Sequence, residues 1–132
     1  MRYVAVLAHD FEGMRVIGEL FYQQNFVSCL VPLKDWTLYA KTLQGAFAVV
    51  LDEADLRCDV KDDYLMDLEE YLLCGLHGPR ILVLEKDGDH HVDVQVKGRT
   101  EIWTHQFGES IHGDFLYGFC HSSLRQYSEV AS

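Results

Sequence analysis

Four short runs of hydrophobic residues are spaced along the first two thirds of the chain. They cover residues 3–8, 26–31, 47–51 and 81–84, and each has the length of a β-strand. A run that is apolar at nearly every position is typical of a strand buried on both faces of a sheet. We therefore predict four parallel strands, in which Val4, Val27, Val49 and Val83 are buried.

The segments between these runs have the spacing of amphipathic helices. Apolar side chains recur at intervals of three or four residues within residues 12–24, 35–43 and 62–73. Alternation of strand and helix is typical of a parallel sheet covered by helices on both faces. The predicted architecture is a three-layer α/β sandwich around a mostly parallel sheet of the flavodoxin-like or Rossmann-like kind.

The pattern changes after the fourth run. Asp87 and Gly88 form a two-residue hairpin signal, and around Val94 apolar and polar residues then alternate. Alternation predicts a half-exposed strand, which we place antiparallel beside the fourth strand, in a hairpin at one edge of the sheet. A further strand over residues 100–107 and a C-terminal helix over residues 110–127 complete a single α/β domain spanning residues 1–132.

Composition and charge narrow the classes of function. The 132 residues include 11 basic and 21 acidic residues, and the net charge of −10 argues against nucleic acid or an anionic membrane as a partner. No run is long enough to cross a bilayer, and no signal peptide is recognised. Four cysteines without a CxxC pair favour free thiols in a reducing compartment, so we expect a cytoplasmic protein. The absence of a P-loop or a GxGxxG motif predicts no cofactor.

Most of the negative charge is concentrated in residues 52–70. This segment holds nine acidic and two basic residues, a net charge of −7. The dipole of a predicted helix favours acids at its start, such as Asp62, but does not account for Asp55 and Asp59 before it. Charge of one sign on one face favours docking of a basic protein, so Asp55, Asp59, Asp62 and the aromatic Tyr64 are predicted to bind a partner. A homodimer is a further alternative.

Polar residues also follow the predicted strands. His9, Asp10 and Glu12 follow the first strand, Asp52 follows the third and Glu85 follows the fourth. The carboxyl ends of parallel strands meet at one edge, where open α/β sheets bind their ligands. We therefore predict that His9, Asp10, Glu12 and Glu85 bind a small ligand. The alternative is that they are polar only because each strand ends at the solvent.

Histidines near the predicted hairpin raise the question of a metal. His90 and His91 lie among aspartates, and His105 lies on the next strand. Neighbouring residues of a strand point to opposite faces, which separates His90 from His91. We favour an exposed turn and predict no metal site.

Two partial resemblances follow from the strand-end residues. Residues 4–13 are similar to the first strand and turn of the DJ-1/PfpI family, but residues 81–86 lack the cysteine that this family carries at a later elbow. Asp52, together with Asp10, resembles the acidic positions of response-regulator receivers. The lysine that follows the fifth parallel strand of a receiver is missing, because we expect the chain to enter a hairpin after its fourth strand.

The order of acids and strands over two thirds of the chain resembles a third group. Residues 47–52 end on Asp52, a helix over 67–78 carries Glu69 and Glu70, and a strand over 79–84 begins with proline and arginine. This order is similar to that of nucleoside 2-deoxyribosyltransferases, nucleotide N-glycosidases and TIR-like domains. The resemblance implies a nucleoside or nucleotide ligand, with Glu69 or Glu70 as the glycosidic carboxylate and Asp52 orienting the sugar. An N-glycosidase and a non-catalytic acidic binding protein, such as an inhibitor, immunity protein or antitoxin, are therefore the two hypotheses.

Overall fold

The computed structural model describes residues 2–56, 63–76, 79–85, 92–97, 100–106, 117 and 119–121. The strands in these ranges are β1 Arg2–Ala8, β2 Phe26–Pro32, β3 Ala48–Asp52, β4 Arg80–Glu85, β5 Val92–Lys97 and β6 Thr100–Gln106. The α-helices are α1 Arg15–Gln23, α2 Ala40–Gly45, α3 Glu53–Leu56 and α4 Asp63–Glu70. Short 3-10 segments, Glu12–Met14 and Leu33–Tyr39, precede α1 and α2, and a π-helical turn, Tyr71–Gly75, continues α4.

The strands form one sheet in the order β2-β1-β3-β4-β6-β5. The first five strands of this order are parallel, and β5 is antiparallel to β6 at the edge. The order of the parallel strands is that of a flavodoxin-like fold. The predicted α/β class, with a mostly parallel sheet and an antiparallel strand at one edge, is therefore confirmed.

The predicted position of the strand around Val94 is wrong. Trp103 of β6 lies opposite Leu82 of β4 on one side and opposite Val94 of β5 on the other, so β6 separates the two strands. Trp103 is fully buried. A large apolar side chain is stabilised most inside the sheet, whereas the alternating pattern of β5 suits an edge. The sheet consequently has five parallel strands rather than the four that the apolar runs predicted.

The prediction that β2 is buried on both faces is also wrong. Val27 is 41% exposed and Leu30 is 51% exposed, although both belong to an apolar run. The reason is topological, because β2 is the outermost strand and has β1 as its neighbour on one side alone within the described sheet. By contrast, Val4 and Val49 are fully buried, as predicted, and Val83 is partly buried.

The two faces of the sheet carry two different hydrophobic layers. On the face covered by α1, the aromatic layer contains Phe21, Phe26, Trp103 and Phe119, with Phe47 at its margin. On the face covered by α2 and α4, the aliphatic layer consists mainly of leucines: Leu7, Leu33, Leu43, Leu51, Leu65, Leu68, Leu72 and Leu76. The helices are held on their faces by these layers, which fixes the surfaces that they present outward.

The end of the chain is described in part. Tyr117 and residues 119–121 are helical, within the range predicted for a C-terminal helix, and the rest of that range lies outside the described residues. Phe119 is fully buried in the aromatic layer, so this helical part packs on the same face as α1. Among the described residues, no helix has the length and hydrophobicity needed to cross a membrane.

Candidate functional site

The carboxyl edge of the sheet brings two of the predicted segments together. Leu7 of β1 lies opposite Leu51 of β3, so the residues that follow these strands emerge side by side. Asp52, at the end of β3, is half-buried, while His9 and Asp10 are exposed after β1. The sequence therefore predicted correctly that these residues share an edge.

Two of the predicted ligand-binding residues have local partners instead. The carboxylate of Asp10 accepts a hydrogen bond from the backbone N–H of Glu12 at 3.0 Å, which is an Asx-turn just before the 3-10 segment. Glu12 pairs with Arg15 one turn later, at 3.5 Å between side-chain atoms, and both are exposed. These contacts start the short 3-10 segment and α1, which is a structural role for both acids.

The acids of this edge do not gather into a cation site. Within the described ranges, no group of three or more His, Cys, Asp and Glu side chains lies close enough to hold a metal ion. The fifth parallel strand that a receiver requires is present as β6, which corrects our expectation of a hairpin in its place. However, neither β6 nor the chain after it contains a lysine. The receiver resemblance therefore holds for the fold and fails at its chemical positions.

The two glutamates of the glycosidase hypothesis lie on α4. Glu70 is exposed and lines a shallow depression of about 310 Å³ together with Asp67, Tyr71, Cys74 and Gly75. Asp52 does not line this depression. Glu69 is half-buried on the neighbouring side of the helix. The structure thus does not bring Asp52 into the depression that Glu70 lines.

The outward face of α4 combines acids with exposed apolar side chains. Leu65, Leu68 and Leu72 point into the aliphatic layer. Residues on the opposite side are exposed, and together with the exposed Leu73 of the π-helical turn that continues α4 they form what we call the α4 stripe: Asp63, Met66, Asp67, Glu70 and Leu73. Met66 is 57% exposed. The sequence analysis missed Met66 and Leu73, although their positions follow from helical spacing once the buried leucines are identified.

The remaining predicted partner residues fall partly outside the description. Asp55 is half-buried on α3. Asp59 and Asp62 lie outside the described residues. The side chain of Tyr64 also lies outside the description, as does that of Glu85, which was predicted to bind a ligand. His90 and His91 also lie outside, as does the side chain of His105.

Tyr71, the aromatic residue that directly follows the acidic segment of residues 52–70, has a structural role. Its ring lies 5.1 Å from that of Trp36, and its hydroxyl donates a hydrogen bond to the carbonyl of Ala40 at 3.3 Å. These contacts tie the π-helical turn after α4 to the segment that leads into α2. Both the ring and the hydroxyl of Tyr71 therefore make contacts within the protein, which is a packing role.

A second surface lies between α1 and β2. It is an open groove of about 740 Å³ lined mainly by apolar groups, among them Phe11, Met14, Tyr22 and Leu30. Arg15 and Glu19 of α1 stand at its margin. The apolar run of β2 gave no sign of this groove, because sequence alone did not reveal that β2 is the edge strand.

The chain is similar in fold to a solved structure. The N-terminal domain of a response regulator/sensory box/GGDEF 3-domain protein from Carboxydothermus hydrogenoformans is similar, with a TM-score of 0.60 and 8% sequence identity over 99% of this chain and 100% of that domain. At this level of identity the likeness shows the flavodoxin-like fold alone. No family model and no curated protein matches the chain.

Proposed function

We propose that the protein is a non-enzymatic binding domain that docks a basic, amphipathic segment of another protein. The observation that carries this proposal is the α4 stripe, in which Asp63, Asp67 and Glu70 alternate with the exposed Met66 and Leu73. A helix face with acids alone would be typical of a surface in contact with solvent. Exposed apolar residues alone would be ordinary for a protein surface. Their combination along one helix is suited to a partner that is both cationic and apolar.

The spacing of the stripe suggests the form of the partner. Met66 and Leu73 are seven residues apart, which is about two helical turns or roughly 10 Å. An amphipathic helix presents its own apolar residues at the same interval, with lysine or arginine between them. Methionine adapts its shape to a partner, and acids around it accelerate the approach of a basic one.

Further features favour binding over chemistry. The carboxylates of Asp10 and Glu12 have local structural partners, and the described acids do not form a cation site. Cys29, Cys74 and Cys120 are free thiols, which fits the proposed cytoplasmic location.

A defined peptide tests the proposal. The probe is an 18-residue peptide of lysine and leucine with leucine at helical spacing, compared with a scrambled peptide of the same composition. Neutralising the stripe in the variant Asp63→Asn/Asp67→Asn/Glu70→Gln should slow association about tenfold at low salt. The difference should disappear at 1 M salt, where the screening length is about 3 Å.

A matched control separates the stripe from total charge. The variant Glu12→Gln/Glu19→Gln/Asp35→Asn removes the same number of exposed acids from other elements. We expect it to retain most of the association rate. Equal slowing by both variants, or equal binding of both peptides, would refute docking at the α4 stripe.

A nucleoside-type ligand at the carboxyl edge is the second candidate. It is favoured by the position of His9 and Asp52 at the ends of neighbouring strands. If the protein is an N-glycosidase, Glu69→Gln or Glu70→Gln should abolish release of the free base while leaving folding intact. Incubation with nucleosides and mononucleotides, followed by thermal shift and chromatography of the base, tests this. Equal release by the parent and by both variants would exclude these carboxylates.

A further inference from the structure

The outer edge of β2 is poorly protected against pairing with another chain. β2 is the terminal strand of the sheet, and its seven residues, Phe26–Pro32, include no charged side chain. Edge strands of native proteins usually carry charges, bulges or prolines that prevent such pairing. β5, at the opposite edge, carries Asp93 and Lys97. β2 has only Pro32, at its end.

Apolar side chains are exposed on both faces of this edge. Val27 lies on the face of the aliphatic layer, and Leu30 lies on the face of the aromatic layer, because successive strand residues alternate. Leu30 also lines the groove beside α1, across from Tyr22. The hydroxyl of Ser28 is buried there beneath α1 and makes no hydrogen bond to a described residue. The edge and the groove thus form one continuous apolar surface.

We propose that this surface binds a second copy of the chain. The two β2 strands pair antiparallel about a twofold axis perpendicular to the sheet, which joins the two sheets into one. A twofold contact uses the same patch on both copies, so the patch must complement itself. An uncharged strand meets this condition, since pairing it with its copy brings no like charges together.

The geometry of the axis limits the register. A twofold axis perpendicular to the sheet keeps each side chain on its own face, so the axis must pass midway between one residue of β2 and the same residue of the second copy. Cys29 is the middle residue of the strand, and centring the axis on it pairs all seven residues. Val27 then lies opposite Val31 of the second copy, and Leu30 lies opposite Ser28. Both exposed apolar side chains gain a neighbour across the axis.

The charges at the margin of the groove also complement themselves. Arg15 and Glu19 are four residues apart on α1, and both line the groove. The axis makes the α1 helices of the two copies antiparallel. Arg15 of each copy therefore faces toward Glu19 of the other copy. The groove is lined by two acids, Glu12 and Glu19, and one base, Arg15, so its charge is nearly balanced. A second copy is therefore a better match than a strongly basic partner.

Sedimentation equilibrium of the full chain tests the proposal. The parent protein should be a dimer at micromolar concentration. Val27→Lys and Leu30→Lys each replace an exposed side chain, so neither disturbs the core. In a dimer each variant brings two lysines, one from each copy, close to the axis, and it should raise the dimer dissociation constant by at least about tenfold. Met66→Lys is the matched control, since it adds the same charge at a similarly exposed apolar site on α4.

The outcomes separate this inference from the proposed function. Met66→Lys should weaken peptide docking and leave the dimer intact, whereas the β2 variants should do the opposite. A monomeric parent at 200 µM, or a dimer that survives both lysine substitutions, would overturn the β2 interface.

Cys29 provides a test of the register. Opposed residues of antiparallel strands have Cα atoms about 4.5–5.5 Å apart, within the range that a disulfide can bridge. In the background Cys58→Ser/Cys74→Ser, mild oxidation should link two copies through Cys29. Adding Cys29→Ser or Leu30→Lys should abolish the link. A solution dimer that resists cross-linking through Cys29 would show that the proposed register is wrong.

Discussion

The aromatic layer and the aliphatic layer hold the two faces of one sheet in different ways. In the aromatic layer, Phe21 meets Phe26 and Phe119 edge to face, with ring centroids 6.2 Å apart in both pairs. Trp103 meets Phe119 in the same manner at 5.2 Å. The aliphatic layer is built mainly of leucines, whose contacts have no preferred angle. The first layer depends on orientation, and the second depends chiefly on volume.

A partly buried cation strengthens this contrast. Arg80 lies 5.6 Å from the ring centroid of Phe47, 5.5 Å from that of Trp103 and 6.0 Å from that of Phe119. It donates a hydrogen bond to the carbonyl of Phe119 at 2.8 Å and pairs with Glu101 at 3.4 Å. The start of β4 is thereby fastened to β6 and to the helical residues near the end of the chain. The described part of the aliphatic layer has no comparable cation.

The largest expected effect is the loss of an aromatic ring from the first layer. Phe21→Ala should lower the free energy of unfolding by about 3–5 kcal/mol, because removing the fully buried ring leaves a cavity beside the rings of Phe26 and Phe119. Its counterpart in the aliphatic layer, Leu68→Ala, should cost about 2–5 kcal/mol. Urea denaturation followed by circular dichroism measures both.

Conservative substitutions sharpen this comparison. Leu68→Met keeps volume and should cost less than about 1.5 kcal/mol. Phe21→Leu loses both edge-to-face contacts, each of which contributes about 0.5–1.5 kcal/mol beyond burial. We therefore expect Phe21→Leu to be the more damaging of the two. A larger loss for Leu68→Met would contradict the distinction between the layers.

Most of the fold followed from the sequence, and the errors share one cause. Apolar runs, such as the one that contains Val49, correctly predicted buried parallel strands, since hydrophobic periodicity reports burial directly. Sheet order depends on long-range pairing, which no local pattern encodes. For that reason the edge position of Val27 and the insertion of Trp103 between two predicted neighbours were missed. The same limit applies to the candidate site, where the order of Asp52 and Glu70 along the chain did not reveal that Asp52 does not line the depression beside Glu70.

An intermediate effect is expected from Arg80. Arg80→Met keeps much of the stem that packs against the aromatic rings but removes the hydrogen bond to Phe119 and the partner of Glu101. We expect a loss of about 1.5–3 kcal/mol in the free energy of unfolding, since the partially buried Glu101 carboxylate is left without its cation.

A double-mutant cycle tests the origin of that loss. Glu101→Gln removes the stranded charge, so combining it with Arg80→Met should cost less than the sum of the single changes. Additive costs would mean that the ion pair contributes nothing beyond the packing of the Arg80 stem. The cycle thus separates the contribution of the Arg80–Glu101 ion pair from the contribution of the packing of the Arg80 side chain against the aromatic rings.

The smallest expected effect concerns the thiol of Cys120, which lies in the aromatic layer near Arg80. Burial raises the pKa of the Cys120 thiol from 9.0 to about 11, and the positive charge of Arg80 partly opposes this rise. Because the folded pKa lies above the unfolded one, the neutral thiol favours the folded state below pH 9, and this contribution is lost as the pH rises from about 9 to about 11.

Cys74, in the π-helical turn of the other face, is exposed. At pH 8 iodoacetamide should therefore modify Cys74 readily. The rate of modification of Cys120 should be about a hundredfold lower than the rate expected for a thiol with an unshifted pKa. Arg80→Met should slow Cys120 further by removing the charge that favours the thiolate, and mass spectrometry of the modified peptides measures both rates. Equal modification of the two cysteines in the folded protein at pH 8 would show that the aromatic layer is open to water around Cys120, contrary to the tightly oriented packing described for it.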